Sequence, residues 1–223
     1  MRPAPILLVL AIVVTACGGG EADAPAADPA ELVAGAAAAM DGVTSARFEM
    51  RRDGEPVTIQ GMTFDAAVGE YAAPDAARAL LDLRAGDLVL QMGTISIGER
   101  TWLTNPLTGD WEELDAGFNP ARIFDPDLGW RPLLTEDLSD LSSLGSRDGL
   151  EIVAGTVAAD RVAVLTAGLV EDQAVPIEIS LDPGSSRIRR VEFTTRGESG
   201  ETLWVIELSD YDEPVTIEPP SAG

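Results

Sequence analysis

Residues 175–195 read VPIEISLDPGSSRIRRVEFTT. Apolar side chains occupy every second position from Val175 to Leu181, which is typical of a half-buried strand, and Asp182-Pro183-Gly184 provides a turn. The segments 188–195 and 201–210 repeat this alternation and predict the last hairpin. Because such short connections join antiparallel strands, this end of the chain predicts an antiparallel sheet.

The same alternation recurs toward the N-terminus and predicts roughly ten strands. Since most of them follow one another without an intervening helix, we expect antiparallel pairing throughout. Residues 161–165 fit either a strand or a short helix, and Gly93 is interpreted as a turn. The remaining strands are predicted around 46–50, 57–64, 79–83, 88–92, 95–97, 101–104, 111–114, 150–157 and 215–217.

Helices are predicted in two places. Asp28 is a suitable N-cap, Pro29 suits the first helical position, and the Ala-rich run to Met40 ends at Gly42. The segment 117–145 is interpreted as several short helices, because it contains repeated N-cap signals and many large apolar side chains. These helices are expected to cover one face of the sheet.

The N-terminus predicts export and a lipid anchor. Residues 1–16 have a cationic start and about a dozen apolar residues, typical of a signal peptide and too short to span a membrane. Val14-Thr15-Ala16-Cys17 resembles a bacterial lipobox, which predicts a diacylated Cys17 on the extracytoplasmic face of the cell membrane. Residues 17–28 are expected to be a flexible tether, and 29–223 a single domain.

Composition excludes much enzyme chemistry. The 223-residue chain contains no His and one Cys, its 15 cations are all Arg, and its net charge is −23. Without His and Lys, the usual general base, the commonest metal ligand and Schiff-base chemistry are all missing. Residues 125–136 imitate a calcium loop but carry Trp130 where Gly is required. We therefore expect no enzyme, cofactor or metal, and the acidic charge argues against nucleic acid.

The apolar pattern alone leaves two interpretations open. The sheet and the helices of 117–145 either pack into a closed core or leave an apolar cavity for a flexible hydrocarbon. The composition suits both interpretations.

Three motifs resemble the LppX/LprA/LprF/LprG family of actinobacterial envelope lipoproteins. They are FDPDLG at 124–129, VAGTVAA at 153–159 and LSDYDEPVTIEPP at 208–220. The lipobox, tether and opening helix also stand in the order expected for that family. The resemblance extends over essentially the whole mature chain.

The resemblance implies an α+β fold like that of the carrier LolA: a strongly curved antiparallel half-barrel wrapped around a few helices, with an apolar cavity. It implies binding of acylated lipids or glycolipids, their transfer from the membrane to the outer envelope, and for some members a major-facilitator transporter as partner. The alternative is a non-catalytic interaction or sensor lipoprotein with a closed core. Strand alternation and apolar character predict which residues line this cavity. They are Phe48, Met50, Leu81, Leu90, Phe124, Leu128, Leu133, Ile177, Ile179, Val191 and Phe193.

Overall fold

The computed structural model describes residues 27–59, 61–114, 119–125 and 127–221. Twelve strands of this part of the chain form one antiparallel sheet, as expected, although the number exceeds the predicted ten. The strands are β1 (Ser45–Gly54), β2 (Val57–Ile59), β3 (Met62–Ala72), β4 (Ala76–Ala85), β5 (Leu88–Ile97), β6 (Arg100–Thr104), β7 (Trp111–Leu114), β8 (Leu138–Arg147), β9 (Leu150–Val157), β10 (Val175–Leu181), β11 (Ile188–Arg196) and β12 (Glu201–Ser209).

The strand order shows how the two halves of the chain are joined. It runs β7-β6-β5-β4-β3-β1-β12-β11-β10-β9-β8, with β2 paired to β3 beside this path. The first and last strands meet in the middle, where Phe48 pairs with Leu208 and Met50 with Ile206. The sheet is open, because β7 and β8 form its two edges and do not pair with each other.

Helices are few and lie on one face of the sheet. They are α1 (Pro29–Asp41), a 3-10 helix η1 (Pro120–Phe124), α2 (Trp130–Pro132) with a π-helical turn (Leu133–Asp137), and α3 (Ala159–Leu165). The start of α1 is as predicted, since the Asp28 carboxylate accepts a hydrogen bond from the Ala30 N–H at 2.9 Å. In the described part of the chain, no helix is long and apolar enough to cross a membrane.

The sheet face that meets these helices, called the inner face here, carries the core. Alternate residues of the central strands are buried there, and Trp204 stacks between Phe64 and Phe193 at ring distances of 6.1 and 6.2 Å. The Trp204 indole N–H donates to the Thr195 hydroxyl at 2.9 Å, so this buried donor is satisfied.

A buried cation closes one end of the inner face. The Arg52 side chain is 6% exposed and pairs with Asp65 at 2.9 Å. It also donates to the carbonyl oxygens of Phe64, Gly54 and Glu55. The charge is therefore paired and hydrogen-bonded, as a buried guanidinium requires.

Three local predictions are wrong. Residues 138–147 form the edge strand β8 instead of extending the helices, because the leucines there pack as a bulged strand beside β9. β5 runs through Gly93 without a turn, since this residue pairs with Leu80 inside a regular ladder. Residues 215–217 lie outside any strand. The ambiguous segment 161–165 is helical and belongs to α3.

The segment after β12 is tied back to the sheet. The Tyr211 hydroxyl donates to the carbonyl of Ile188, and Asp212 accepts from the backbone N–H and hydroxyl of Thr44 at 2.9 and 3.0 Å. Asp212 also pairs with Arg187. The Thr44 N–H, helped by Arg187, holds the pKa of Asp212 below its usual range.

The apolar interior as candidate functional site

The candidate site lies between the inner face and a thin helical layer. This layer, called the cover here, consists of η1 and of α2 with its π-helical turn (residues 120–124 and 130–137). η1 packs against β4, β5 and α3, whereas α2 and its turn pack against α1. The cover therefore consists of only a few turns of helix, of which η1 lies on β4 and β5.

Small side chains line the inner face where η1 meets β4 and β5. Ala77 and Ala79 stand on β4, and Thr94 and Ser96 stand opposite on β5, all at most 7% exposed. On β3, a Cβ at Gly69 would lie only 2.4 Å from the Phe48 ring and 2.7 Å from the Ala79 Cβ. This surface is therefore a trough, which the Phe48 ring fills at Gly69 and which the short helix η1 fills over β4 and β5.

Aromatic contact and one amide hold η1 in the trough. The Phe124 ring stacks on Tyr71 at 4.2 Å with an interplanar angle of 8°, and it lies 6.4 Å from the Phe48 ring. Asn119 caps η1 by accepting from the Ala121 N–H at 2.9 Å, and its Nδ2 donates to the Gly98 carbonyl at 3.0 Å. These contacts fix both ends of the helix.

Tyr71 is a neutral donor at this site. Its hydroxyl donates to the Pro74 carbonyl at 3.0 Å. Burial raises the pKa of Tyr71, and the nearby carboxylates of Asp75 and Asp125 raise it further. Proton-transfer chemistry near neutral pH is therefore disfavoured at this phenol.

One small cavity lies in the interior among the residues that the structure describes. A cavity of about 20 Å³, roughly the space of one water molecule, remains between the inner face and the helices. The described residues that line it are Phe48, Met50, Pro120, Ile123, Val164, Leu165, Ala167 and Ile206. An acyl chain would need the cover to move.

Two larger grooves open at the end of the sheet near Pro74 and Asp125. The first measures about 170 Å³ and separates the end of α1 from the cover, with walls that include Met40, Tyr71 and Trp130. The second measures about 240 Å³ and runs beside η1. An ion pair of Arg131 with Asp41, 3.7 Å apart, joins the cover to α1 at the first groove.

Two buried polar atoms near this layer have no hydrogen-bond partner among the described residues. They are the Thr94 hydroxyl on the inner face and the indole N–H of Trp130 in α2. Each such group costs on the order of 1–3 kcal/mol relative to a satisfied one.

The structure places most of the nominated lining residues on the inner face or in the cover. Leu90 and Phe124 are half-buried, and Leu128 is 40% exposed beside the second groove rather than inside. The apolar character of Leu128 points to the interior, but the residue lies in the turn before α2. Cys17 lies outside the described residues. The buried members are Phe48, Met50, Leu81, Leu133, Ile177, Ile179, Val191 and Phe193.

Sequence reasoning misses the small residues of the trough. Ala77, Ala79, Thr94 and Ser96 carry little hydrophobic signal and are absent from the nominated lining. The period-2 alternation from Ala77 to Leu83 nevertheless assigns these alanines to the same face as Leu81. In the part of the chain that the structure describes, no three metal-ligating side chains form a cluster.

Comparison with solved structures identifies proteins that share this fold. LprF of Mycobacterium bovis aligns with a TM-score of 0.64 and 16% identity over 87% of this chain and 97% of its own. The lipoprotein LppX of Mycobacterium tuberculosis aligns with a TM-score of 0.60 and 22% identity over 85% and 97%. A LolA superfamily protein of Nitrosomonas europaea reaches only 0.29, which supports no argument about the fold. No curated protein matches the chain.

The family model of the LppX_LprAFG lipoproteins matches residues 28–217, which is nearly the whole described part of the chain. The two aligned lipoproteins have the same fold, as their TM-scores show. The chain therefore belongs to the LppX_LprAFG lipoprotein family.

Proposed function

We propose that this protein is an extracytoplasmic lipoprotein, anchored to the cell membrane through Cys17, that binds an acylated envelope lipid or glycolipid and carries it toward the outer envelope. The acyl chain occupies the space between the inner face and the cover. No chemical step is involved.

The observation that carries the proposal is the trough beneath η1. An ordinary core places large side chains on a central sheet, whereas here Ala77, Ala79 and Thr94 leave room that a 3-10 helix of five residues fills. When η1 moves away, the trough offers an apolar channel without charged side chains along these positions. Such a channel suits a hydrocarbon chain.

Burial of hydrocarbon favours the replacement of η1 by an acyl chain in the trough. Transfer of an acyl chain from water into an apolar site is favourable by about 0.8 kcal/mol for each methylene. For a chain of ordinary length, this free energy of burial exceeds the free energy needed to move a short cover. Movement of η1 breaks the Phe124 stack and the hydrogen bond from Asn119 to the Gly98 carbonyl, and it exposes Ile123. We propose that the chain enters by the groove between α1 and the cover, where Arg131 and Asp41 separate.

Single-cysteine labelling tests the proposal. Residues 17–223 with Cys17→Ser contain no cysteine and retain every residue that the structure describes. In this background Thr94→Cys places a thiol on the inner face without breaking a hydrogen bond, because the Thr94 hydroxyl has no partner among the described residues. Gln91→Cys is the matched control, since it lies three residues away on β5 and is exposed.

The expected result is slow labelling of the Thr94→Cys variant by a maleimide, further slowed by envelope lipid extract, and fast lipid-independent labelling of the Gln91→Cys variant. Native mass spectrometry of the protein from an actinobacterial host then gives the mass of the bound lipid. If saturating extract leaves the labelling of the Thr94→Cys variant unchanged and no lipid copurifies, the carrier function is excluded.

A closed-core interaction or sensor protein is the second candidate. The observation in its favour is the residual cavity of about 20 Å³, which is that of a well-packed domain. This candidate predicts that Thr94→Cys is labelled only through global unfolding, with a rate that rises with denaturant as steeply as the unfolded fraction.

A further inference from the structure

Another apolar groove, called the outer groove here, lies on the side of the sheet opposite the helices. It measures about 390 Å³ and opens on the outer face of β3, β4 and β5, away from the helices. Val68 pairs with Leu80, and Leu80 pairs with Gly93, so these three residues form one row across the strands. The side chains of Arg47, Val68, Glu70, Leu80, Ile95 and Trp111 line this outer groove, whereas Ala79 and Thr94, which also border it, stand at alternate strand positions and direct their side chains to the inner face.

A glycine and a tryptophan shape this groove. The Trp111 ring lies against Gly93, where an added Cβ would be 3.1 Å from the indole Cη2. The Gly93 N–H donates to the Thr104 hydroxyl at 2.7 Å, which fixes the neighbouring strand. A larger residue at position 93 would fill the space, so the groove depends on this glycine.

The floor of the outer groove is unlike the rest of this face. Over β1, β11 and β12 the outer surface is covered by ion pairs, in which Arg51 contacts Glu49 and Glu207 at 2.9 and 3.1 Å and Arg190 contacts Glu207 at 2.5 Å. In the groove, by contrast, Leu80 is 55% exposed in the middle of a strand. An exposed apolar floor beside a charged surface is typical of a binding site.

Charge at the rim indicates the kind of ligand. Glu70, Arg78 and Ile95 form the row next to the apolar one, and Glu70 pairs with Arg78 at 2.5 Å. Arg47 lies across from Glu70 on β1, and among the described residues it has no carboxylate within ion-pair distance. Although the net charge of the protein is −23, the edge of this apolar groove thus offers a cation to an anionic ligand.

We propose that the outer groove binds one acyl chain of a single-chain anionic amphiphile, with the carboxylate or phosphate of its head at Arg47. The chain lies along Val68, Leu80 and Ile95 and ends against Trp111. This site is separate from the interior, because the sheet itself stands between them. It is a site for a ligand with one chain, since the groove is open and shallow on the outer surface.

Leu80→Cys in the Cys17→Ser background of residues 17–223 tests the proposal. Leu80 is exposed, so the variant keeps the fold and is labelled readily by a maleimide. Stearate and lysophosphatidylglycerol, each below its aggregation concentration, are expected to slow the labelling. Protection by stearate alone identifies a free fatty acid, and protection by lysophosphatidylglycerol alone identifies a lysolipid headgroup; both support the groove.

Two charge variants provide the decisive comparison. Arg47→Gln is expected to raise the half-protecting concentration about fivefold, the effect of losing one exposed charge-assisted contact. Arg51→Gln is the matched control on the same strand and face, outside the groove, and leaves the concentration unchanged. In the same titration, labelling of the Thr94→Cys variant reports on binding in the interior. Absence of binding in the outer groove and absence of binding in the interior are therefore distinguished.

Absence of protection at Leu80→Cys overturns the proposal, whatever happens at Thr94→Cys. It is also overturned if neutral dodecyl maltoside protects equally well and Arg47→Gln changes nothing, because the groove then adsorbs any amphiphile.

Discussion

Removing the Phe124 ring should open the interior. Phe124 stacks on Tyr71 at 4.2 Å and is half-buried at the end of η1. A fully buried Phe→Ala change costs about 3–5 kcal/mol, so a half-buried, stacked ring accounts for about 2 kcal/mol. If opening of the cover breaks this stack, Phe124→Ala raises the open fraction about thirtyfold.

The assay is the labelling rate of the Thr94→Cys variant with and without Phe124→Ala, under conditions where opening is fast relative to labelling. We expect the rate to rise about thirtyfold and to depend only weakly on denaturant, as a local opening does. Tyr71→Phe is the control, because it keeps the stacked ring and removes only the hydrogen bond to Pro74. It should change the rate by less than about threefold.

One result would contradict opening of the interior by movement of the cover. If Phe124→Ala lowers the free energy of unfolding by about 2 kcal/mol but leaves the labelling rate unchanged, the interior is not exposed by movement of η1.

Three further changes test other parts of the structure. Thr94→Val removes a buried hydroxyl that has no partner among the described residues and should leave the urea midpoint unchanged or raise stability by up to about 1 kcal/mol; a larger loss would contradict the assignment. Gly69→Ala puts a Cβ 2.4 Å from the Arg78 carbonyl and should cost at least about 1–3 kcal/mol, whereas wild-type stability would mean that the strands separate freely there. Asp212→Asn should destabilise the protein near pH 7, because a pKa held below 3.8 stabilises the fold above that pH and the contribution is lost as pH falls through the lowered value. The difference in urea midpoint should therefore shrink as the pH falls below 3.8, and a difference that stays the same as at pH 7 would contradict the role of ionised Asp212.

The sheet was predictable because its signal is local. Alternation around Ile177 and Ile179, and the turn at Asp182-Pro183-Gly184, identify strands from a few adjacent residues. The start of α1 was equally accessible, since Asp28 and Pro29 act within a single turn. Antiparallel pairing followed from the absence of helices between the strands.

The predictions that were wrong concern residues whose conformation depends on neighbours distant in sequence. Leu138, Leu141 and Leu144 have the spacing of a helix, and β9 alone makes them part of a strand. Gly93 looks like a turn, but its missing side chain makes room for Trp111. The outer groove could not be foreseen, because its rim joins Arg47 of β1 to Trp111 of β7 across the strands that lie between them.

The pairing of β1 with β12 has a consequence for biogenesis. Residues 47–54 find their partners only at 202–209, so the centre of the sheet is incomplete until nearly all described strands are available. Contacts so distant along the chain slow folding, because a long loop must close before they form. If the proposed export takes place with the chain unfolded, this delay favours it, since a chain lacking its last strand has no finished sheet to obstruct translocation.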